Sequence, residues 1–280
     1  MSGELYVVGT PIGNLGDFSP RAADTLSRCD FIAAEDTRVT LKLLNHFGIK
    51  KPMVSYFEHN KRERGVMITD RILAGESCAL VTDAGMPAIS DPGEDLVALC
   101  HERGIRVNAV PGPSALIAAL ALSGMHTGRF TFEGFLSVNK KSRRDHLESL
   151  KDEKRTMIFY EAPHKLANTL KDLTQVFGDR EVTIVRELTK IHEQVIRTTL
   201  KQAVRDYGDG RLKGEIVLIL AGAPEQEQSG ITLEEAASAA REWMLQGDPP
   251  SLAAKKAARM SGYPKGEIYH MLQGETEWKF

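Results

Sequence analysis

The stretch Leu5-Tyr6-Val7-Val8-Gly9-Thr10-Pro11-Ile12-Gly13-Asn14-Leu15-Gly16 decides how the chain is read. Four apolar residues run without alternation into a loop rich in glycine and proline. An unbroken apolar run suits a strand covered on both faces. Glycine beyond it lets backbone approach a ligand closely, and proline fixes the loop's shape. The same grammar recurs. Ala79–Val81 leads into Thr82-Asp83-Ala84-Gly85-Met86-Pro87, and Ile105–Val110 leads into Pro111-Gly112-Pro113-Ser114-Ala115. Phe31–Ala34 is a further strand, running into Glu35-Asp36-Thr37-Arg38. Helical segments lie between them: Leu41–Phe47 before Gly48, Lys61–Leu73 before Gly75, and Glu94–Arg103 before Gly104. Glycine is the usual residue just past a helix end. Strands alternating with helices predict an α/β fold with a parallel sheet, whose ligand crevice lies at the carboxyl ends of the strands.

Pro113–Ser123 is apolar on every side, which predicts a helix buried all round. Beyond it the strands Phe130–Phe135, Thr156–Tyr160, Glu181–Glu187, Glu193–Thr198 and Glu215–Leu220 follow with fewer helices. The expected organisation is therefore an N-terminal α/β domain over residues 1–112 and a second, mixed α/β domain over 113–225. The second domain completes a cleft with the first. Pro224–Gly230 reads as a polar linker, and 231–280 as a small all-helical domain. In that domain Thr232 and Glu235 have capping-box spacing. Ser251–Met260, a turn at Ser261-Gly262-Tyr263, and Pro264–Leu272 form a helix-turn-helix-like pair.

Composition narrows the function. The chain has 280 residues, 42% hydrophobic and 26% charged, with a net charge of −2. It is no polycation, so contact with nucleic acid must come from local patches. Cys29, Cys78 and Cys100 lack CxxC spacing, which suggests inert thiols in a reducing compartment. The N-terminus lacks a signal-peptide pattern, and no apolar stretch approaches the ~18 residues of a membrane span. A soluble, cytoplasmic protein is expected. The first loop is neither GxGxxG nor GxxxxGK[ST], which argues against a dinucleotide fingerprint and a P-loop. Loops of Gly, Pro, Ala and one Asp lack the basic groups that phosphates demand. They suit a ligand held by backbone hydrogen bonds and apolar walls. The helix starting at Pro113 could aim its first N–H groups at a carboxylate. An adenosine joined to an amino acid fits that description.

Seven segments carry a resemblance: LYVVGTPIGNLGD (5–17), FIAAEDTR (31–38), ALVTDAGMPAISDPG (79–93), VPGPSALIAALALSG (110–124), FEGFL (132–136), IFYEAPHKL (158–166) and KGEIVLIL (213–220). In order and spacing they resemble the tetrapyrrole methylase superfamily, and within it the branch acting on small-subunit ribosomal RNA. The resemblance covers 4–222 almost without a break, and the tail is similar too. It implies a homodimer that binds S-adenosylmethionine between two domains and methylates the 2′-oxygen of a cytidine in the decoding region of 16S RNA. It implies cofactor contacts at Pro11, Asp83, Ala84, Gly85, Met86, Pro87, Ile89, Ser114 and Ala115. From the second domain it implies Tyr160, Glu161, Leu188, Thr189, Gly214 and Glu215. Met86 departs from the pattern, which leads one to expect threonine there.

A ribose hydroxyl must lose a proton on methylation, so a base should assist. Asp36, Glu161, His164 and Lys190 are the candidates, each at a strand end or a helix start. Asp36 would equally serve as a helix cap. Arg38 and two basic patches are candidate RNA contacts. One patch is Lys140, Lys141, Arg143 and Arg144; the other is Lys255, Lys256, Arg259 and Lys265. The histidines have no metal-ligand spacing, so no metal site is expected. Two other readings remain: a carbon methyltransferase acting on a porphyrinoid precursor, and a non-catalytic RNA-binding module.

Overall fold

A computed structural model of the protein describes residues 3–224 and 231–273. Residues up to Ala223 form one compact unit, which contains two five-stranded sheets. The first sheet comprises β1 (Glu4–Val8), β2 (Phe31–Ala34), β3 (Met53–Ser55), β4 (Cys78–Val81) and β5 (Arg106–Val110). Its order is β3-β2-β4-β1-β5 and every pairing is parallel. β2 and β4 are buried at every position, which is why their sequences show no alternation. The helices α1 (Pro20–Arg28), α2 (Thr37–His46), α3 (Lys61–Leu73) and α4 (Gly93–Glu102) connect the strands. One face buries Leu5, Phe31, Leu80 and Leu96; the other buries Val8, Leu26, Ile32 and Val81. Two elements have weaker sequence signals. β3 is a three-residue edge strand, only partly buried. α1 starts at Ser19, whose side chain accepts from the Ala22 N–H, with Pro20 in its first turn.

The second sheet comprises β6 (Phe130–Phe135), β7 (Thr156–Glu161), β8 (Glu181–Arg186), β9 (Gln194–Thr199) and β10 (Ile216–Leu220). Its order is β6-β7-β10-β8-β9, with only β6 and β7 parallel. α5 (Ala115–Ser123) joins the two sheets in sequence and lies on the second, where Leu116, Ala119 and Leu120 meet Ile158, Val185, Val217 and Ile219. The opposite face packs Phe159, Ile184 and Leu218 with Leu170 and Leu173 of α7 (Leu166–Phe177) and Leu200 of α8 (Leu200–Tyr207). α5 corrects one expectation. It is not buried on every side: Ile117 is 51% and Leu122 46% exposed, because the sheet covers only one flank of the helix.

The C-terminal unit contains α9 (Leu233–Leu245), α10 (Pro250–Ser261) and α11 (Lys265–Gln273). Ala236, Ala240, Ala253, Ala254 and Ala257 surround Ile268, so small side chains let the helices approach closely. The capping box is present: Glu235 N–H donates to Thr232 Oγ1 at 3.2 Å, and Thr232 N–H to Glu235 Oε2 at 2.7 Å. Gly262, left-handed at φ +80°, makes the turn between α10 and α11. Residues 225–230 of the expected linker lie outside the described residues.

A candidate active site between the two sheets

The loops after β1, β4 and β5 are built against one another. Gly9 follows β1 and Gly112 follows β5. A Cβ on Gly9 would lie 2.6 Å from the Gly112 Cα, so only glycine fits where these backbones meet. Thr10 and Gly85 exchange two backbone hydrogen bonds, of 2.9 and 3.1 Å, which zip the first loop to the second. Thr10 Oγ1 also donates to the Thr82 carbonyl at 3.2 Å. Gly85 holds φ +87°, a conformation that side chains resist. Beyond it the backbone turns sharply. Ala88 and Ser90 both have positive φ, +68° and +67°. Such strain persists only where the surroundings enforce it. Here Asp91 does so: its carboxylate accepts from the N–H groups of Ala88, Ile89 and Gly93 at 2.8–3.2 Å.

These loops form one wall of a cavity of about 440 Å³ whose other wall is the second sheet. Of the residues expected to touch a cofactor, Asp83, Ala84, Gly85, Met86, Ile89, Ser114, Ala115, Tyr160, Glu161, Leu188 and Glu215 line it. Pro11, Pro87, Thr189 and Gly214 do not; each is next to a residue that does or one step further along its loop. Pro87 is buried beneath the loop. Thr189 is left-handed at φ +66°, and its N–H donates to Glu193 at 2.6 Å. Met86 faces the cavity and also packs with the first core, a role a thioether fills readily. Ile12, Glu35, Thr82, Ser90, Asp91, Phe135, Ala162, Pro163, Val185, Ile216 and Val217 complete the lining. Thr82 and Asp91 belong to motifs legible in the sequence. Val185, Ile216 and Val217 carry no signal that separates them from ordinary strand residues.

The cavity's charge is one-sided. Glu35, Asp83, Asp91, Glu161 and Glu215 line it, and among the described residues no lysine, arginine or histidine does. A phosphate-bearing ligand would meet repulsion there, whereas a cationic one would be favoured. The acids are also linked. Glu35 Oε2 accepts from Thr82 Oγ1 at 2.5 Å and from the Asp83 N–H at 3.4 Å. Asp83 Oδ1 accepts from the Asp36 N–H at 3.1 Å. Partial burial, then the nearby Glu35 carboxylate, pushes the Asp83 pKa above the usual aspartate range.

The four base candidates occupy different settings. Asp36 caps α2, accepting from the Arg38 N–H at 2.8 Å and pairing with the Arg38 guanidinium at 2.6 Å. These hydrogen bonds hold its pKa at about 2. Glu161 is buried; one oxygen accepts from the Ala162 N–H at 2.8 Å, and the other from Thr169 Oγ1. His164 is exposed and does not line the cavity. Lys190 Nζ lies 3.0 Å from Glu187 and 3.1 Å from Glu215. Burial works to lower its pKa, but those two hydrogen bonds prevail and raise it, so its amine stays protonated. Its stem lies over Gly13, tying the second sheet to the first loop. Tyr160 accepts from the Leu116 N–H at 3.2 Å, so one α5 donor expected to face a ligand is already engaged by protein.

The basic residues separate similarly. Lys140, Lys141 and Arg144, on α6 (Lys140–Ser149), are exposed, whereas Arg143 turns inward to Asp172 at 2.7 Å with 14% side-chain exposure. In the C-terminal unit Lys255 and Arg259 are exposed. Lys256 pairs with Asp248 at 2.5 Å and lies over the Trp243 ring. Cys29, Cys78 and Cys100 are buried free thiols, and burial raises each pKa, to about 11 for Cys29 and Cys100.

The chain has counterparts among known proteins. The sequence profile of the family described as Tetrapyrrole (Corrin/Porphyrin) Methylases matches residues 4–204. A "Ribosomal RNA small subunit methyltransferase I" of Synechocystis sp. is 47% identical over 270 residues, covering 96% of this chain and 97% of the relative. One from Xylella fastidiosa is 48% identical over 272 residues, covering 95% and 98%. The uroporphyrin-III C-methyltransferase of Thermus thermophilus, solved with S-adenyl homocysteine, shares the fold: TM-score 0.56, 19% identity, 78% of this chain and 97% of that one. The chain belongs to the tetrapyrrole methylase family, and within it to the group whose relatives are called ribosomal RNA small subunit methyltransferase I.

Proposed function

We propose that the chain transfers a methyl group from S-adenosylmethionine to small-subunit ribosomal RNA, at the 2′-oxygen of a cytidine in the decoding region. The acidic cavity carries this reading. S-adenosylmethionine supplies a methyl on a cationic sulfur, which leaves as a neutral thioether. A wall of carboxylates suits that charge, and Gly85 and the Ser114–Ala115 turn offer backbone to it. The names of the 47–48% identical relatives support the ribosomal RNA substrate.

The chain's own residues divide the work. The cavity walls hold donor and acceptor in line, and alignment of this kind supplies much of a displacement's rate. The attacking hydroxyl gives up its proton as its oxygen gains the methyl. Asp83 is the carboxylate suited to take it: it lines the cavity and its basicity is raised. Asp36 is held at low pKa by Arg38, Glu161 has both oxygens engaged, and Lys190 is already protonated; these three serve as braces. Lys140, Lys141, Arg144 and Arg38 meet RNA phosphates, with Lys255 and Arg259 adding to them. The chain works as a homodimer in the cytoplasm, with the exposed apolar flank of α5 at Ile117 and Leu122 as its contact.

A porphyrinoid acceptor is the rival reading. It shares the cavity but leaves the exposed cations of α6 without a role. The two separate when the chain is given labelled S-adenosylmethionine with either 30S subunits lacking their native modifications or a porphyrinoid precursor. Label in the RNA is expected; label in the porphyrinoid alone contradicts the proposal.

A further inference from the structure

We infer that Phe135 is the platform on which the base of the target nucleotide stacks. This rests on the RNA reading above. Phe130, Phe132 and Phe135 sit on β6, and ordinary alternation would place Phe132 and Phe135 on opposite faces. The strand does not alternate there. Phe132 pairs with Ile158 and Gly134 with Phe159, so Glu133 is an extra residue in a bulge. Gly134 accommodates it at φ +63°. Bulges re-aim side chains beside functional sites. Here the bulge brings Phe132 and Phe135 to the same face, with ring centres 4.9 and 5.4 Å from that of Tyr160.

The outcome is unusual for an aromatic residue. Phe132 is partly buried, but Phe135 lines the cavity and is 59% exposed. A ring steadied by Tyr160, inclined to it by 60°, and left more than half exposed offers a surface for stacking. Its surroundings fit a nucleotide. α6 begins five residues later, presenting Lys140, Lys141 and Arg144. The bulged Glu133 holds that helix through His146, 2.9 Å away. One irregularity in β6 therefore fixes both the open ring and the cations that would hold phosphates on either side of the stacked base. Unpaired nucleotides of RNA pack their bases on aromatic side chains, and stacking suits any base because each has a π-face.

The test uses the full chain and three variants, Phe135→Ala, Phe135→Leu and Phe135→Tyr. Methylation of 30S subunits, S-adenosylmethionine affinity by calorimetry, and the thermal midpoint are measured for each. Phe135→Ala and Phe135→Leu should lose about ten- to a hundredfold in kcat/KM for 30S subunits. Phe135→Tyr should stay near wild type, and all three should bind S-adenosylmethionine as wild type does and melt near it. Phe135→Ala with wild-type methylation overturns the inference. So does Phe135→Leu performing as well as Phe135→Tyr, which would show bulk rather than stacking. A parallel loss of cofactor affinity would instead place Phe135 in the cofactor wall and overturn it as well. A wild-type chain that binds S-adenosylmethionine yet leaves 30S subunits unlabelled contradicts the RNA reading itself.

Discussion

The two sheets build their shares of the cavity by different means. The first contributes loops: backbone groups, tight glycines and the acids of β2 and β4 strand ends. The second contributes mostly the side chains of strands and strand ends, such as Val185, Val217 and Tyr160. A site made of backbone tolerates little change at glycine, while a site made of side chains responds to truncation in proportion to what is removed. That difference is open to direct test.

The largest effect on stability should come from Gly112→Ala. The new Cβ would sit 2.8 Å from the Gly9 Cα, with backbone on both sides unable to yield. We expect a loss of about 3 kcal/mol in denaturant unfolding, at the upper end for overpacking. A loss below about 1 kcal/mol would show that the loops are less tightly built than the distances state.

Asp83→Asn should come next, lowering kcat by about a hundredfold or more, well beyond any loss of cofactor affinity from removing one carboxylate of the wall. The pH dependence sharpens this. A base works when deprotonated, so activity should fall as pH drops through the Asp83 pKa, which lies above the ordinary aspartate value. Glu35→Gln removes a neighbouring negative charge, lowers that pKa and should move the acidic limb to lower pH. An unmoved limb in Glu35→Gln would assign it to another group.

Joint reversal of Lys140, Lys141 and Arg144 to Glu should weaken RNA methylation by at least about tenfold and flatten its salt dependence, with cofactor binding kept. Arg143→Glu should behave differently, lowering stability through its lost partner Asp172. On the second wall, Val217→Ala should cost about 1.5 kcal/mol of stability, and Tyr160→Phe about 1 kcal/mol for the lost bond from Leu116. Wall variants that unfold the chain as severely as Gly112→Ala would erase the distinction between the sheets.

The same distinction explains what could be read from the sequence. Leu5–Val8 and Phe31–Ala34 show their strands because both faces are covered, and loops rich in glycine and proline mark the ligand side. Thus Asp83–Met86 and Ser114–Ala115, which line the cavity, stood out in the sequence. Val185 and Val217 did not, because a strand valine facing a cavity has the same sequence pattern as one facing a core. α5 misled for a related reason: a helix apolar all round predicts full burial, but one flank stays exposed. Glu35 and Asp91 lie in legible motifs, but their roles are missed for a third reason. Their roles arise from contacts across the fold or within a strained turn, which spacing along the chain does not encode.

In the function proposed above, this cavity delivers a methyl group to a ribose of small-subunit RNA. The most direct measurement locates the label after transfer from labelled S-adenosylmethionine to unmodified 30S subunits, by nuclease digestion and mass spectrometry. A single labelled cytidine in the decoding region, methylated on its 2′-oxygen, is expected. Label on a base atom, or on a nucleotide elsewhere, would contradict it.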